Sequence, residues 1–251
     1  MNSLSSMLTD PGLLHGASYI NGDWVDASDR IAVHDPSTGG AVASVARMGA
    51  AQAGRAVDAA QAAFGPWSRA LPQDRARLLR TWFDLMIVHR EDLAILMTME
   101  QGKPLSEARG EIDYAAAFLE YYAEETRRPN IESVTSHLPD AEMELWREPV
   151  GVAALITPWN FPSAMITRKA AAALAAGCTV VIHPSAQTPL SALALAELAA
   201  RAGFPAGVLN VVAGDAAEIV GTWTADPRVR ALSFTGSTEV GKLLYRQSAE
   251  T

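Results

Sequence analysis

Hydrophobic residues recur along this chain at three different spacings, and each spacing predicts a different kind of element. Near the start, "YINGDWV" (19–25) sets Ile20 and Trp24 around Asn21-Gly22, a pair that accepts positive φ at both turn positions. That is a hairpin signal. "DPSTGG" (35–40) marks a second turn. From Ala50 to Phe64 the chain is alanine-rich and helical in pattern. In "PQDRARLLRTWFDLMIVHR" (72–90), Leu78, Trp82, Leu85 and Met86 fall on one helical face. Pro104 suits the first turn of a further helix whose apolar side carries Ile112, Ala116 and Leu119. After Pro129 the character changes. "AEMELWREPVG" (141–151) alternates Met143 and Leu145 with charged neighbours, which predicts a strand with one wet face that projects from the main body.

From Gly151 onward the rhythm is strand, helix, strand, helix. "VAALIT", "TVVIH", "VLNVV" and "VRALSF" are short, continuously apolar runs, and a helical stretch follows each. Such runs predict a parallel sheet covered on both faces, an α/β architecture of the nucleotide-binding type. In such sheets ligands bind beyond the carboxyl ends of the strands. Those ends carry "TPWN" (157–160), "HPSA" (183–186), "AGD" (213–215) and "TGS" (235–237). Together they form one rim, the candidate site.

Each rim residue has an ordinary use beside a functional one. Gly236 and Ser237 open the last helix, where free backbone N–H groups and a hydroxyl could cradle a phosphate, or simply cap the helix. Asn160, between Pro158 and Pro162, is a turn residue or an amide donor to a developing oxyanion. Arg168, two turns into the following helix, is a surface cation or a bidentate carboxylate site. Cys178 lies at the opposite end of its strand, after the helix-capping Gly177, and reads as a buried structural residue.

Composition narrows the classes. With 49% hydrophobic and 19% charged residues, the 251-residue chain is globular. A net charge of −8, with Arg127-Arg128 its densest basic cluster, argues against nucleic acid as the main partner. One cysteine excludes a disulfide framework within the chain and fits a cytoplasmic location. The first 17 residues lack a signal-peptide pattern and read as a solvated arm, and no apolar run is long enough to cross a bilayer. The remaining histidines have no metal-ligand spacing, and GxGxxG, P-loop and G-x-S-x-G patterns are absent. No metal site is expected.

The segments "ITPWNFPSAMITRKAAAALAAGCTVVIHPSAQTPLSALALAELA", "GFPAGVLNVVAGD" and "LSFTGSTEVGK" closely resemble the aldehyde dehydrogenase superfamily. "LMTMEQGKPLSEARGEIDYAAAFLEYYAEE" and "PSAMITRK" look most like its succinate-semialdehyde branch. The resemblance runs from about Tyr19 to Thr251. It implies a Rossmann-like, parallel-sheet cofactor domain over 18–137 and 150–251, an N-terminal arm over 1–17, and part of an oligomerisation hairpin over 138–149. It further implies oxidation of a small aldehyde with NAD or NADP, through a covalent thiohemiacetal, in a homo-oligomer. Residue by residue, Asn160 matches the oxyanion donor and Arg168 the arginine that holds a substrate's distal carboxylate. Ile156, Thr157, Pro158, Trp159, Ser185, Gly214 and Thr235 match positions around the cofactor, Gly236 and Ser237 the pyrophosphate contact, and Val240 the adenine.

Two departures stand out. Where the family usually has a lysine and often a glutamate to hold the ribose, this chain has His183 and Ala186. A histidine is largely neutral at pH 7, so a permanent cation is lost. Loss of the carboxylate removes repulsion against a 2′-phosphate and tilts the preference slightly toward NADP. Second, the family's activating glutamate, in an E-L-G-G segment, and its nucleophilic cysteine follow the point matched by Thr251; neither occurs in these 251 residues. The resemblance therefore implies that this stretch alone is inactive, lacks the catalytic domain and associates through the apolar surface that domain covers. A non-catalytic nucleotide-binding or interaction module and a decayed fragment remain the alternatives.

Overall fold

The computed structural model describes residues 4–128 and 131–251. Met1 to Ser3 of the expected arm, and Pro129, lie outside the described residues. The rest of the arm is solvated only in part: Ser6, Met7, Thr9, Pro11 and Gly12 are exposed, but its leucines are not. Leu4, Leu8 and Leu13 are buried in the main core, and Asp92 accepts from the Thr9 and Asp10 amides, each at 2.8 Å. Two short 3-10 turns, Leu4–Met7 and Pro11–Leu13, bring those leucines inward. Their irregular spacing is why no periodic pattern announced them.

The arm leads into β1 (Ser18–Ile20) and β2 (Asp23–Val25), the hairpin expected at Asn21-Gly22. Both turn residues take positive φ, 56° and 87°. A second antiparallel pair, β3 (Arg30–His34) and β4 (Ala41–Ala46), flanks the "DPSTGG" turn. Four helices follow: α1 (Ala50–Ser68), α2 (Pro72–Val88), α3 (Arg90–Gln101) and α4 (Leu105–Glu125). The expected face of α2 is borne out at Leu78, Trp82 and Met86, which are buried, while Leu85 packs against the core from its edge. Ile112, Ala116 and Leu119 of α4 are fully buried.

Next comes an isolated two-stranded ribbon of β5 (Ile131–Val134) and β6 (Met143–Trp146). It corrects one expectation: β6 has no buried face. All four of its residues are exposed, as are all four of β5, because nothing among the described residues packs on either side.

The remaining elements alternate as the pattern predicts: β7 (Val152–Ile156), α5 (Ala164–Ala176), β8 (Thr179–His183), α6 (Pro189–Ala202), β9 (Leu209–Val211), α7 (Ala216–Thr224), β10 (Val229–Phe234) and α8 (Thr238–Ser248). The sheet order is β10-β7-β8-β9-β1-β2. The first four strands are parallel, and the N-terminal hairpin extends them antiparallel through Tyr19↔Val211, so the sheet is mixed. Successive residues serve opposite faces, as strand geometry requires. Ala153, Leu155, Val180 and Ile182 enter the larger core with α2 to α6, whereas Val152, Ala154 and Val181 pack with α1 and Trp223 of α7.

Candidate functional site

Register aligns the carboxyl ends of the strands. Ile156 stands opposite both His183 and Phe234, so β7, β8 and β10 finish level. Two further hydrogen bonds tie the turns beyond them: Thr157 N–H donates to the His183 carbonyl, and Thr235 N–H to the Ile156 carbonyl, each at 3.2 Å. Trp159, Asn160, Ala186, Thr235, Gly236, Ser237 and Val240 are exposed along this edge. Ile156, Thr157, His183 and Gly214 are buried beneath it, with Pro158 and Ser185 between. The expected rim therefore exists, in two layers.

Gly214 is required by its surroundings. Its φ is +154°, and a Cβ there would lie 2.1 Å from the Met48 carbonyl oxygen. Met48 threads between neighbours of Gly214, donating to Ala213 at 3.0 Å and accepting from Asp215 at 2.8 Å. Asp215 then caps α7 by accepting from Glu218 N–H at 3.1 Å. At the other end of the rim, Ser237 caps α8, accepting from Val240 N–H at 3.3 Å. A Cβ on Gly236 would meet the Phe234 ring at 2.4 Å, so only glycine keeps this step close to the strand end. That leaves amide ends of α8 facing the groove lined by Thr235 to Thr238, of about 580 Å³.

His183 is a structural residue as well as a rim residue. Its Nδ1 donates to the Val212 carbonyl at 2.9 Å, and its ring lies edge-on to Trp223. A carbonyl only accepts, so Nδ1 carries the proton. Burial pushes the imidazole pKa down, and the ring is neutral near pH 7. Cys178 is buried at the other end of β8, directly after Gly177, which caps α5 in the left-handed conformation.

Arg168 is exposed in a cleft of about 570 Å³ formed by α4, α5 and β10. Its guanidinium lies 5.3 Å from the Phe118 ring centroid and 4.0 Å from Met165 Sδ. No carboxylate among the described residues pairs with it. Beside it Lys169 donates to Ser233 Oγ at 2.8 Å, and burial, with the charge of Arg168, brings the ammonium pKa down to about 8. Lys169 carried no signal in the sequence beyond its place next to Arg168. Thr235 lines both this cleft and the groove at α8, whereas Trp159 and Ala186 line a third cavity of about 390 Å³ with Glu100. Thr235, Gly236, Ser237, Trp159, Ala186 and Arg168 thus open into three separate recesses, and Asn160 lines none of the three.

Among the described residues no cluster of His, Cys, Asp and Glu could hold a metal ion, and no helix is long and apolar enough to cross a membrane.

A mostly parallel sheet with helices on both faces, its strand ends converging on glycine- and hydroxyl-bearing turns, is a Rossmann-like α/β domain. The chain matches the aldehyde dehydrogenase family over residues 24–251 and belongs to it. It is 54% identical over 245 residues to a glutarate-semialdehyde dehydrogenase of Pseudomonas aeruginosa, covering 97% of this chain and 51% of that protein. An NADP(+) succinate-semialdehyde dehydrogenase of Escherichia coli is 52% identical, with the same coverage of 97% and 51%. The crystal structure of a succinate-semialdehyde dehydrogenase from Burkholderia pseudomallei superposes with a TM-score of 0.95 at 51% identity, over 97% of this chain and 51% of that one. The chain spans about half the length of the curated relatives it matches.

Proposed function

We propose that this chain supplies the cofactor-binding part of an NAD(P)-dependent aldehyde dehydrogenase acting on a semialdehyde with a distal carboxylate, succinate semialdehyde foremost. The observation that carries the substrate class is Arg168: a guanidinium in an open cleft, braced by the Phe118 ring, with no acid partner among the described residues. A planar cation so held is suited to bidentate capture of a carboxylate. The glutarate- and succinate-semialdehyde relatives are named for substrates of that kind.

The residues at the rim fit a dinucleotide. The Gly236–Ser237 step would face the pyrophosphate, Trp159 and Val240 would flank the rings, and the buried Thr157 Oγ1 lacks a partner among the described residues. A bound nicotinamide would supply the hydride acceptor for the substrate carbon. The chain's own part is binding and charge stabilisation. Asn160 Nδ2 donates to the oxygen that becomes negative when the aldehyde is attacked, and Arg168 fixes the far end of the substrate. A neutral His183 offers no cation to the ribose. The preference leans slightly to NADP, because Ala186 places no carboxylate near a 2′-phosphate. In this reading the enzyme is a cytoplasmic homo-oligomer, assembled through the β5–β6 ribbon.

The test uses the complete enzyme. Arg168→Met is expected to raise KM for succinate semialdehyde roughly 10- to 100-fold, the weight of a charge-assisted contact. Turnover of butanal, which has no carboxylate, should be unchanged. Equal losses on both aldehydes would remove the basis for the substrate class.

A further inference from the structure

Two buried acids of the N-terminal helices cap crossover helices of the sheet. Glu100 at the end of α3 accepts from Leu190 and Ser191 N–H at 2.6 and 2.7 Å, at the start of α6. Glu111 of α4 accepts from Ser163 and Ala164 N–H at 3.0 and 3.2 Å, at the start of α5. Both side chains sit where helix N-termini favour negative charge. Of the two, Glu111 alone has a cationic partner among the described residues. Lys103 Nζ forms an ion pair with Glu111 Oε2, and both side chains are nearly inaccessible.

Glu100 caps its helix without a lysine among the described residues, and burial moves its pKa up to about 8, so it needs no counter-charge near neutral pH. Glu111 has a lysine, which can balance its charge, hold something else, or both. What distinguishes Lys103 is its second contact. Its Nζ also donates to the main-chain carbonyl of Asn160 at 3.0 Å, and it lies 4.3 Å from the Phe161 ring centroid. The loop from Pro158 to Pro162 is otherwise open, with Trp159, Asn160 and Phe161 all exposed.

We propose that Lys103 is a positioning residue: clamped by Glu111, it fixes the Asn160 peptide and so aims the Asn160 carboxamide. The functional consequence rests on the reading of Asn160 as oxyanion donor. The clamp acts at both ends of the loop. Glu111 holds the amides where α5 begins, and the lysine it orients holds the carbonyl of the residue that bears the amide.

The test separates clamping from charge balance. Lys103→Met, Lys103→Arg and the double variant Lys103→Met/Glu111→Gln are compared in the full chain by thermal unfolding and by NMR order parameters of the Trp159, Asn160 and Phe161 backbone amides. Lys103→Met leaves a buried carboxylate unpaired and should lower Tm; the double variant, neutral at both positions, should recover it. The order parameters of the three residues should stay lowered in both, because nothing donates to the Asn160 carbonyl. Lys103→Arg should restore them. If the double variant recovers the order parameters together with Tm, Lys103 only balances charge and the proposal fails. Should Lys103→Met not fold, the double variant alone decides. In the complete enzyme the double variant should lower kcat about tenfold with little change in cofactor binding. A loosened loop with unchanged kcat would overturn the oxyanion role of Asn160 while upholding the clamp.

Discussion

Replacing Gly214 by alanine perturbs the rim at its tightest point. The added Cβ would stand 2.1, 2.3 and 2.7 Å from the Met48 O, N and C atoms. These are backbone atoms of a buried residue, with no flexible side chain to swing aside. Relief therefore means separating Met48 from β9. That breaks the Met48-to-Ala213 and Asp215-to-Met48 hydrogen bonds, worth about 1 kcal/mol each. Holding a side chain at φ +154° adds roughly 1–3 kcal/mol. The sum is a loss of about 3–5 kcal/mol, or a fall of roughly 6–20 °C in Tm for a chain of this size. The assay is urea unfolding followed by tryptophan fluorescence, since Trp223 lies in the affected layer. Gly54→Ala is the matched control. It sits inside α1 with nothing within 4 Å of its Cβ position, so it should gain about 0.5–1 kcal/mol. If Gly214→Ala costs under about 1 kcal/mol, the Met48 contact does not hold the rim and the steric reasoning is wrong.

His183 gives the protein an acid-side weakness. Its pKa is depressed by burial, so the unfolded chain takes up a proton near pH 6.5 while the folded ring resists it. That stability is fully present above about pH 6.5 and lost as pH falls below it. His15, also depressed by burial, acts in the same direction, whereas Glu100, with its pKa raised to about 8, gains stability as pH falls through the same window. Relative to the parent, His183→Gln should therefore lose less stability, or gain more, between pH 7.5 and 5.5; parallel pH profiles in urea titrations would refute this. At the N-terminus, Asp92→Ala removes the acceptor for the Thr9 and Asp10 amides and should cost about 1–3 kcal/mol. Limited proteolysis should then cut within residues 4–17 while the remainder stays intact, and unchanged digestion would show that the leucines alone hold the arm.

The βα rhythm was legible because each central strand is buried on both faces, which writes itself as an unbroken apolar run. The break between α2 and α3 was not. His89 ends one helix and begins the next, with no glycine or proline to mark the change. The placement of β1 against β9 was hidden for another reason. A hairpin signal is local, and its docking partner, Val211 for Tyr19, lies about three-quarters of the chain away. In the site, Trp159, Asn160, Gly236 and Ser237 stood out as turn residues at strand ends. Their supports did not, because Lys103 and Glu111 reach the loop from 57 and 52 residues away. Position along a strand also says nothing about depth. His183 stands at the rim in sequence, yet its ring turns inward to Val212.

The antiparallel edge of the sheet has a temporal consequence. Asn21 N–H finds its acceptor on Asn210, 189 residues later, at 2.9 Å. At roughly 5–20 residues per second of synthesis, the hairpin waits roughly 10–40 s on the ribosome before that partner exists. Contacts this distant in sequence close slowly. Strand β1, made before every other strand of its sheet, is thus among the last to dock, and the burial of Tyr19 and Ile20 is completed only then. A chaperone that holds nascent apolar segments would find a long-lived target there.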